Sequence, residues 1–240
     1  MFAVLVHHAV LDDIMMESLY PKHRTMQELL GRKLTESELK NSPGILYLKG
    51  KDYYFSYSLQ QNLKKVAVIG TREPTQQAIE DTKKVVRELL DKNAIIMSGL
   101  AIGIDTAAHE EAILRNGKTI AVLGTPLNRF YPKQNIWLQQ EIMSNQLAVS
   151  QFETNHYTIY TDFPARDLTL ALLSDIVIIM EAKGERNGSL YACWEAIRLG
   201  RPLYIWKNIL MNQRLKWPSE LIKYGAKVLN NLEEVKYLVK

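Results

Sequence analysis

One stretch decides the fold of this chain: Ser98-Gly-Leu-Ala-Ile-Gly-Ile-Asp-Thr-Ala-Ala-His109. It follows a short apolar run, Ala94–Met97, and leads into an alanine-rich helical pattern. Glycine at such a turn lets a ligand approach the backbone, and the first N–H groups of the following helix point toward that ligand. A strand, a Ser-Gly turn and a helix start therefore predict an anion site, most often one for phosphate.

A second turn of this kind lies about one βα unit earlier, at Gly70-Thr-Arg72, directly after the apolar run Val66–Ile69. Further apolar runs alternate with helical patterns and are found at 119–123, 147–152, 176–180 and 202–206. Strands that are apolar on both faces and alternate with helices predict an α/β, Rossmann-like fold, with a doubly wound, mainly parallel sheet covered by helices on both faces. Ligands bind such sheets beyond the carboxyl ends of the strands, where the glycine-bearing turns fall.

Residues 1–63 do not show this alternation of apolar runs and helical patterns. Their predicted elements are three helices and two short strands around a turn, placed at 10–19, 25–30, from 35, at 45–48 and at 53–57. The helix from 35 rests on a capping-box pattern, Thr35-Glu-Ser-Glu38. We therefore predict two units, a small N-terminal, mainly helical piece with a tether at 1–63 and a Rossmann-like domain at 64–240.

The composition narrows the class of protein. With 240 residues and 47% hydrophobic residues, the chain can bury a sizeable core. A net charge of +4 is compatible with nucleic acid but also common among proteins that do not bind it. Cys193 is the one cysteine, which excludes a disulfide within the chain, and no window of 18 apolar residues is present. We expect a cytoplasmic protein without a membrane segment.

The turn at Gly70-Thr-Arg72 is a candidate phosphate contact. Gly70 would leave room for a phosphate beside the backbone, and Thr71 would donate from its hydroxyl and its N–H. The guanidinium of Arg72 would form bidentate hydrogen bonds with the phosphate. The alternative is a surface arginine on a tight turn. In the turn after the next strand, Ser98 and Gly99 are the expected phosphate contacts.

Asp105 and His109 stand four residues apart and so share a helix face. One of the two residues could act as a general base that the other orients. Alternatively, the two could form a hydrogen-bonded pair that fixes the start of the helix. The structural role is favoured because no nucleophile or metal-ligand cluster accompanies the pair. We predict no catalytic residue, no metal and no cofactor: the Gly-x-Gly-x-x-Gly fingerprint is absent, and His7 and His8 alone do not make a metal site.

Three more segments complete the candidate site. The loop from Gly124 to Lys133 mixes aromatic residues with Arg129 and Lys133, a composition typical of loops that stack on bases and pair with phosphates, although a hydrophobic lid would look similar. Arg166 opens a helix, where a cation is unfavourable unless an anion, external or a nearby carboxylate, is present. Asn187-Gly-Ser189 is another turn with a hydroxyl at a helix start, and Ser189 is a third candidate donor at this edge.

Six segments occur together in this order: Gly70-Thr-Arg72, Ser98–His109, Thr119–Gly124, Tyr131-Pro132 with Asn135, Phe163-Pro164 with Arg166, and Gly188-Ser-Leu190 with Gly200-Arg201. The chain in this region resembles the DNA-processing protein A (DprA/Smf) family. The resemblance implies a Rossmann-like fold without cofactor chemistry, binding of single-stranded DNA, self-association as a homodimer, and loading of the RecA recombinase during natural transformation. The DNA backbone-binding set that it implies is Gly70, Thr71, Arg72, Ser98, Gly99, Lys133 and Arg166.

The chain departs from the family pattern at charged positions. Ile102, Ala165 and Leu168 stand where the family usually has arginine, and Asp167 replaces an asparagine. Each phosphate that is no longer neutralised should flatten the salt dependence of affinity by about one unit. We therefore expect weaker or retargeted DNA binding. The alternatives are a small-nucleotide sensor or a nucleoside-phosphate hydrolase on the same scaffold, and a scaffold kept for protein contacts alone.

Overall fold

The computed structural model of the chain describes residues 21–185 and 187–239. These residues form one nine-stranded sheet, in the spatial order β1-β2-β6-β5-β4-β3-β7-β8-β9. The strands are β1 (Lys22–Arg24), β2 (Leu46–Gly50), β3 (Lys65–Ile69), β4 (Ile95–Ser98), β5 (Lys118–Leu123), β6 (Leu147–Ser150), β7 (Ile176–Ile179), β8 (Leu203–Trp206) and β9 (Lys227–Leu229). The strands from β3 to β9 run parallel, whereas β2 pairs antiparallel with both β1 and β6.

Helices cover both faces of the sheet. They are α1 (Met26–Leu30), α2 (Glu36–Asn41), α3 (Tyr54–Gln60), α4 (Gln76–Leu90), α5 (Ile104–Leu114), α6 (Ile136–Asn145), α7 (Asp162–Leu173), α8 (Ser189–Arg198), α9 (Trp217–Lys223) and α10 (Leu232–Tyr237). Two 3₁₀ turns are found at Lys133–Asn135 and Lys207–Met211. No helix within the described ranges is long and apolar enough to cross a membrane.

The apolar runs form buried strands, as the sequence predicts. In β3, Val66 and Val68 pack into one hydrophobic cluster while Ala67 and Ile69 pack into the cluster on the other face. This division follows from the period of two along a strand, which sends successive side chains to opposite faces. Each parallel strand therefore needs apolar residues throughout, and the predicted α/β, Rossmann-like class is confirmed.

The strand order reverses at β3. The chain proceeds from β3 through β4 and β5 to β6 on one side, then returns to place β7 on the other side of β3. The backbone N of Thr71, after β3, donates a hydrogen bond of 2.7 Å to the carbonyl oxygen of Glu181, after β7. Such a reversal opens a crevice beyond the carboxyl ends of the two strands.

One N-terminal prediction is wrong. The segment Tyr53–Tyr57 was expected to be a strand paired with the one before it, but it begins helix α3. Both edges of β2 are already paired, with β1 and β6, so no edge is left for a hairpin partner. Tyr54, Phe55 and Ser58 are buried together on one face of α3, so packing overrides the strand preference of the aromatic residues.

The other N-terminal helices agree with the prediction where the structure describes them. Thr25 and Thr35 cap α1 and α2 with complete capping boxes. Strand β1, which is short, polar and exposed, was not predicted. The sheet also crosses the predicted boundary between residues 63 and 64, since β1 and β2 belong to it. The helix predicted at 10–19 and the pair His7 and His8 lie outside the described residues.

A buried carboxylate ties the N-terminal elements to the main sheet. Glu38 is 2% exposed, and its Oε1 and Oε2 accept hydrogen bonds of 2.6 and 2.7 Å from the guanidinium of Arg32. Nη2 of Arg201, which precedes β8, lies 2.5 Å from the same carboxylate. The hydrogen bonds from Arg32 lower the pKa of Glu38 to about 2. The carboxylate therefore stays charged and bridges the two regions.

Candidate functional site

Two adjoining clefts open at the carboxyl edge of the sheet, where the glycine-bearing turns meet. The first cleft, of about 550 Å³, is lined by the turn after β4 and the loop after β5. The second cleft, of about 610 Å³, is lined by the turns after β3 and β7 and the start of α8. The residues that line both are Arg72, Ala101, Tyr131, Phe163 and Arg166. We call the two clefts together the groove.

Three of the predicted cations are exposed in the groove. Arg72, Arg129 and Lys133 all line the first cleft, and among the described residues no Asp or Glu lines it. The guanidinium carbon of Arg72 lies 5.9 Å from the centre of the Phe163 ring, within the range of a cation–π contact. This cleft therefore combines a positive rim with an aromatic wall.

Phe163 stands between the two clefts. Its ring centre is 5.3 Å from that of Tyr131, which also faces both. A Cβ on Gly124 would come within 2.6 Å of the Phe163 ring, so the glycine at the end of β5 leaves room for it. Gly124, the first residue of the loop that the sequence analysis singled out, therefore has a spacing role in the structure.

The predicted phosphate cradle at Ser98 and Gly99 already holds an anion from the chain itself. Oδ2 of Asp105 accepts hydrogen bonds from the backbone N of Gly99, at 3.2 Å, and of Ala101, at 3.3 Å. The hydroxyl of Ser98 is fully buried and donates to the carbonyl oxygen of Val68, at 2.7 Å. Both groups thus have hydrogen-bond partners within the chain, and the assignment of Ser98 and Gly99 as phosphate contacts stays a prediction. Burial raises the pKa of Asp105, against the attraction of a nearby guanidinium.

His109 does not pair with Asp105. Its Nδ1 lies 2.7 Å from the hydroxyl oxygen of Thr119, and the ring is fully buried. Burial lowers the pKa of His109 to about 3, so the imidazole is neutral. Each side chain has a structural contact of its own, Asp105 with the turn at Gly99 and His109 with Thr119 on β5, and the pair that the structural interpretation expected is not formed.

Arg166 supports the floor of the groove. Its side chain is buried, and Nη1 donates to the carbonyl oxygens of Gly99 and of Val122, the latter at 3.0 Å. Its Nε donates to Oδ1 of Asp167 at 2.9 Å. A Cβ on Gly99 would overlap this guanidinium, which explains the glycine. The sequence calls for an anion beside Arg166, and the structure places the carboxylate of Asp167 there. Most of the N–H donors of the Arg166 guanidinium therefore have partners within the chain.

The turn after β3 is shaped by packing. A Cβ on Gly70 would come within 2.6 Å of Ile104 and 2.8 Å of the Glu181 carbonyl oxygen. The amide of Thr71 donates to that same carbonyl, and its hydroxyl accepts from the backbone N of Glu73 at 3.2 Å. The N–H expected to meet phosphate is therefore occupied. Gly70 and Thr71 place Arg72, which alone of the three is exposed.

The second cleft contains residues that the sequence reasoning missed. Lys183, Tyr160 and Tyr191 are exposed along it. Lys183 follows β7, Tyr160 precedes α7 and Tyr191 lies in the first turn of α8, so only the position of Lys183 after a strand gave a sequence signal. The predicted Ser189 is half-buried, and its hydroxyl donates to Oδ1 of Asn187 at 2.8 Å.

Asp167 is a carboxylate on the floor of the second cleft. Its side chain is 14% exposed, and burial raises its pKa to about 6, against the attraction of Arg166.

The departures from the family pattern do not all face the groove. Ile102 lines the first cleft, whereas Ala165 and Leu168 line neither, and Leu168 packs against the main core. The reduction of positive charge at the groove itself is therefore smaller than the family pattern implied.

Comparisons with known proteins agree with this architecture. The family model of DNA recombination-mediator protein A matches residues 14–240. The DNA processing protein DprA of Streptococcus pneumoniae is 37% identical over 199 residues, which cover 83% of this chain and 68% of that protein. The chain spans only 48% of the length of a second relative, the Smf protein of Synechocystis, which is 35% identical.

Two solved structures share the fold. The chain superposes on DprA of Streptococcus pneumoniae with a TM-score of 0.75 and 32% identity, covering 92% of this chain and 75% of that one. It superposes on DNA processing protein A of Helicobacter pylori, whose structure concerns its single-stranded DNA binding mode, with a TM-score of 0.72 and 31% identity, covering 92% and 97%. From its sequence, its sheet and these matches, the chain is a member of the DNA recombination-mediator protein A family.

Proposed function

We propose that this chain binds single-stranded DNA along the groove and acts in DNA processing during uptake and recombination. The observation that carries the proposal is the combination of Arg72, Arg129 and Lys133 with aromatic rings at one open edge. Proteins that bind single-stranded nucleic acid commonly use cations that contact the phosphates and aromatic rings that stack on the bases. The Helicobacter pylori relative, with a single-stranded DNA binding mode, supports the same function.

The phosphate contacts in this proposal are side-chain cations rather than backbone amides. The amides of Thr71 and Gly99 are occupied within the chain, whereas Arg72, Arg129 and Lys133 are exposed. Phe130 and Tyr131, which are 37% and 40% exposed, supply stacking surfaces beside them. The strand would therefore lie with its backbone on the positive rim and its bases against the rings.

Fluorescence anisotropy with a labelled oligo-dT at low salt tests this assignment. We expect the double variant Arg129→Ala/Lys133→Ala to weaken binding by roughly tenfold or more, because two phosphate contacts are removed. The matched control is Lys84→Ala/Lys92→Ala, which removes two exposed cations that line neither cleft. Absence of binding by the unmodified chain, or equal weakening in the control, would refute the proposal.

A small nucleotide is the less favoured ligand. The two clefts share five lining residues and so form one open groove, which suits a polymer better than a closed mononucleotide pocket does. Thermal shift with a panel of nucleotides distinguishes the two: stabilisation by mononucleotides without binding of oligo-dT would favour the sensor.

Self-association and delivery of the strand to RecA belong to this proposal as finer parts, supported by family membership. Light scattering on the purified chain checks the homodimer, since a single monomer mass at all concentrations would oppose it. Capture of RecA by the immobilised chain, with and without oligo-dT, checks the partner.

A further inference from the structure

The two clefts differ in charge. The first is lined by four cations, Arg72, Arg129, Lys133 and Arg166, and by no acidic residue among those described. The second is lined by three cations and three carboxylates, which are Arg72, Arg166, Lys183, Glu73, Asp105 and Asp167. A phosphate gains attraction in the first cleft but meets balanced charge in the second. The second cleft therefore suits an uncharged part of the ligand.

Asp167 places an available acceptor in that neutral cleft. Its Oδ1 receives the hydrogen bond from Nε of Arg166, while Oδ2 accepts none from the residues that the structure describes. The aromatic side chains of Tyr131, Phe163 and Tyr160 line the same cleft. A base stacked among these rings would bring its polar edge toward the floor, where this carboxylate lies.

We propose that Asp167 makes the second cleft selective for bases that carry an exocyclic amino group, with cytosine as the simplest case. The inference rests on the proposed binding of single-stranded DNA. An ionised carboxylate accepts hydrogen bonds and donates none, so it pairs with the N4 amino group of cytosine. Uracil and thymine present a carbonyl oxygen at that position, which the carboxylate repels.

A single substitution at Asp167 tests this inference, because it changes the hydrogen-bonding groups of the side chain with little change of its shape. Asp167→Asn keeps an oxygen for Arg166 but replaces the other carboxylate oxygen with an amide donor, which pairs with the O4 oxygen of uracil and no longer accepts from the N4 amino group of cytosine. Oligo-dC and oligo-dU are the matched probes, since they differ only at the base edge and both lack the thymine methyl group. Anisotropy is measured at pH 7.5, well above the pKa of about 6 of Asp167.

We expect the unmodified chain to bind oligo-dC about fivefold or more tightly than oligo-dU. Asp167→Asn should reduce this ratio to below twofold, chiefly by strengthening binding to oligo-dU. Arg129→Ala is the control, since removal of a phosphate contact should weaken both complexes equally and preserve the ratio.

The possible failures are separable. Equal binding of the two probes by the unmodified chain refutes the inference and leaves the proposed function standing. A ratio unchanged in Asp167→Asn shows that another residue reads the base and also refutes it. Binding of neither probe refutes the proposed function itself. The comparison of probes on the unmodified chain holds even if the variant does not fold.

Discussion

The carboxylate of Asp105 occupies the turn at Gly99, with its Oδ2 3.2 Å from the amide nitrogen of that glycine. Asp105 lies in the first turn of helix α5, where negative charge is favourable beside the helix dipole. The turn therefore has an internal anion and serves as a rigid base for the groove. In the proposed function, the exposed cations around this turn bind the DNA backbone.

Arg72 is expected to contribute one phosphate contact. Arg72→Ala should weaken binding of oligo-dT several-fold at low salt and reduce the slope of log affinity against log salt by about one unit. Anisotropy titrations at four salt concentrations measure both effects. A variant with the full slope of the unmodified chain would show that Arg72 does not meet the backbone.

Gly99→Ala should destabilise the protein. The added methyl group overlaps the buried guanidinium of Arg166, which is held by the Gly99 and Val122 carbonyl oxygens and cannot move freely. We expect a decrease of about 1–3 kcal/mol in the free energy of unfolding, measured by urea titration. Gly188→Ala is the control, since a Cβ there meets no atom within 4 Å and its φ is −61°. Equal decreases in both variants would contradict this packing role.

Asp167 should make stability depend on pH. Its pKa rises from 3.8 to about 6 on folding, so the unfolded state ionises first and stability falls as pH rises from about 4 to 6. Asp167→Asn removes this cost and should raise the free energy of unfolding at pH 7.5 by about 1–3 kcal/mol. Urea titrations from pH 5 to 8 should show the advantage of the variant shrinking toward the acid end. A constant difference would contradict the shift.

Glu38 should have the opposite pH dependence. Its pKa is lowered from 4.5 to about 2, so it stabilises the fold above pH 4.5 and loses that effect as pH falls toward 2. Glu38→Ala leaves Arg32 and Arg201 without their carboxylate and should cost about 3 kcal/mol near neutral pH. Thermal unfolding compares it with Glu36→Ala, an exposed residue on the same helix, which should change little. Similar destabilisation in the two variants would contradict the stabilising role of the hydrogen bonds that Glu38 makes with Arg32 and Arg201.

The central strands and the meeting of their turns were predictable from the sequence. A strand such as β3, which is apolar at every position after Lys65, belongs in a sheet covered on both faces, and parallel strands bring their following turns to one edge. Arg72, Arg129 and Lys133 were found for the same reason. Long cations that follow such turns stay at the surface of the edge.

The occupant of the Ser98-Gly99 turn was harder to predict. A turn that binds an external phosphate and one that binds the chain's own Asp105 have the same local pattern of small residues and a helix start. The signal that distinguishes them is the carboxylate in the first turn of that helix. Lys183 and Tyr160 could not be assigned because only the folded sheet brings their loops beside Arg72. Segment 53–57 was misjudged because the pairing of β2 depends on β6, about a hundred residues later.

The insertion of β2 beside β6 also defines the smallest practical unit for experiments. A chain shortened to begin at Lys65 would lack β2 and leave β6, whose four residues are all buried, as an open edge. Its unsatisfied amides and apolar side chains would then be available to other molecules, a recognised route to aggregation. Fragments intended for DNA measurements should therefore retain the first two strands, even though no groove residue lies on them.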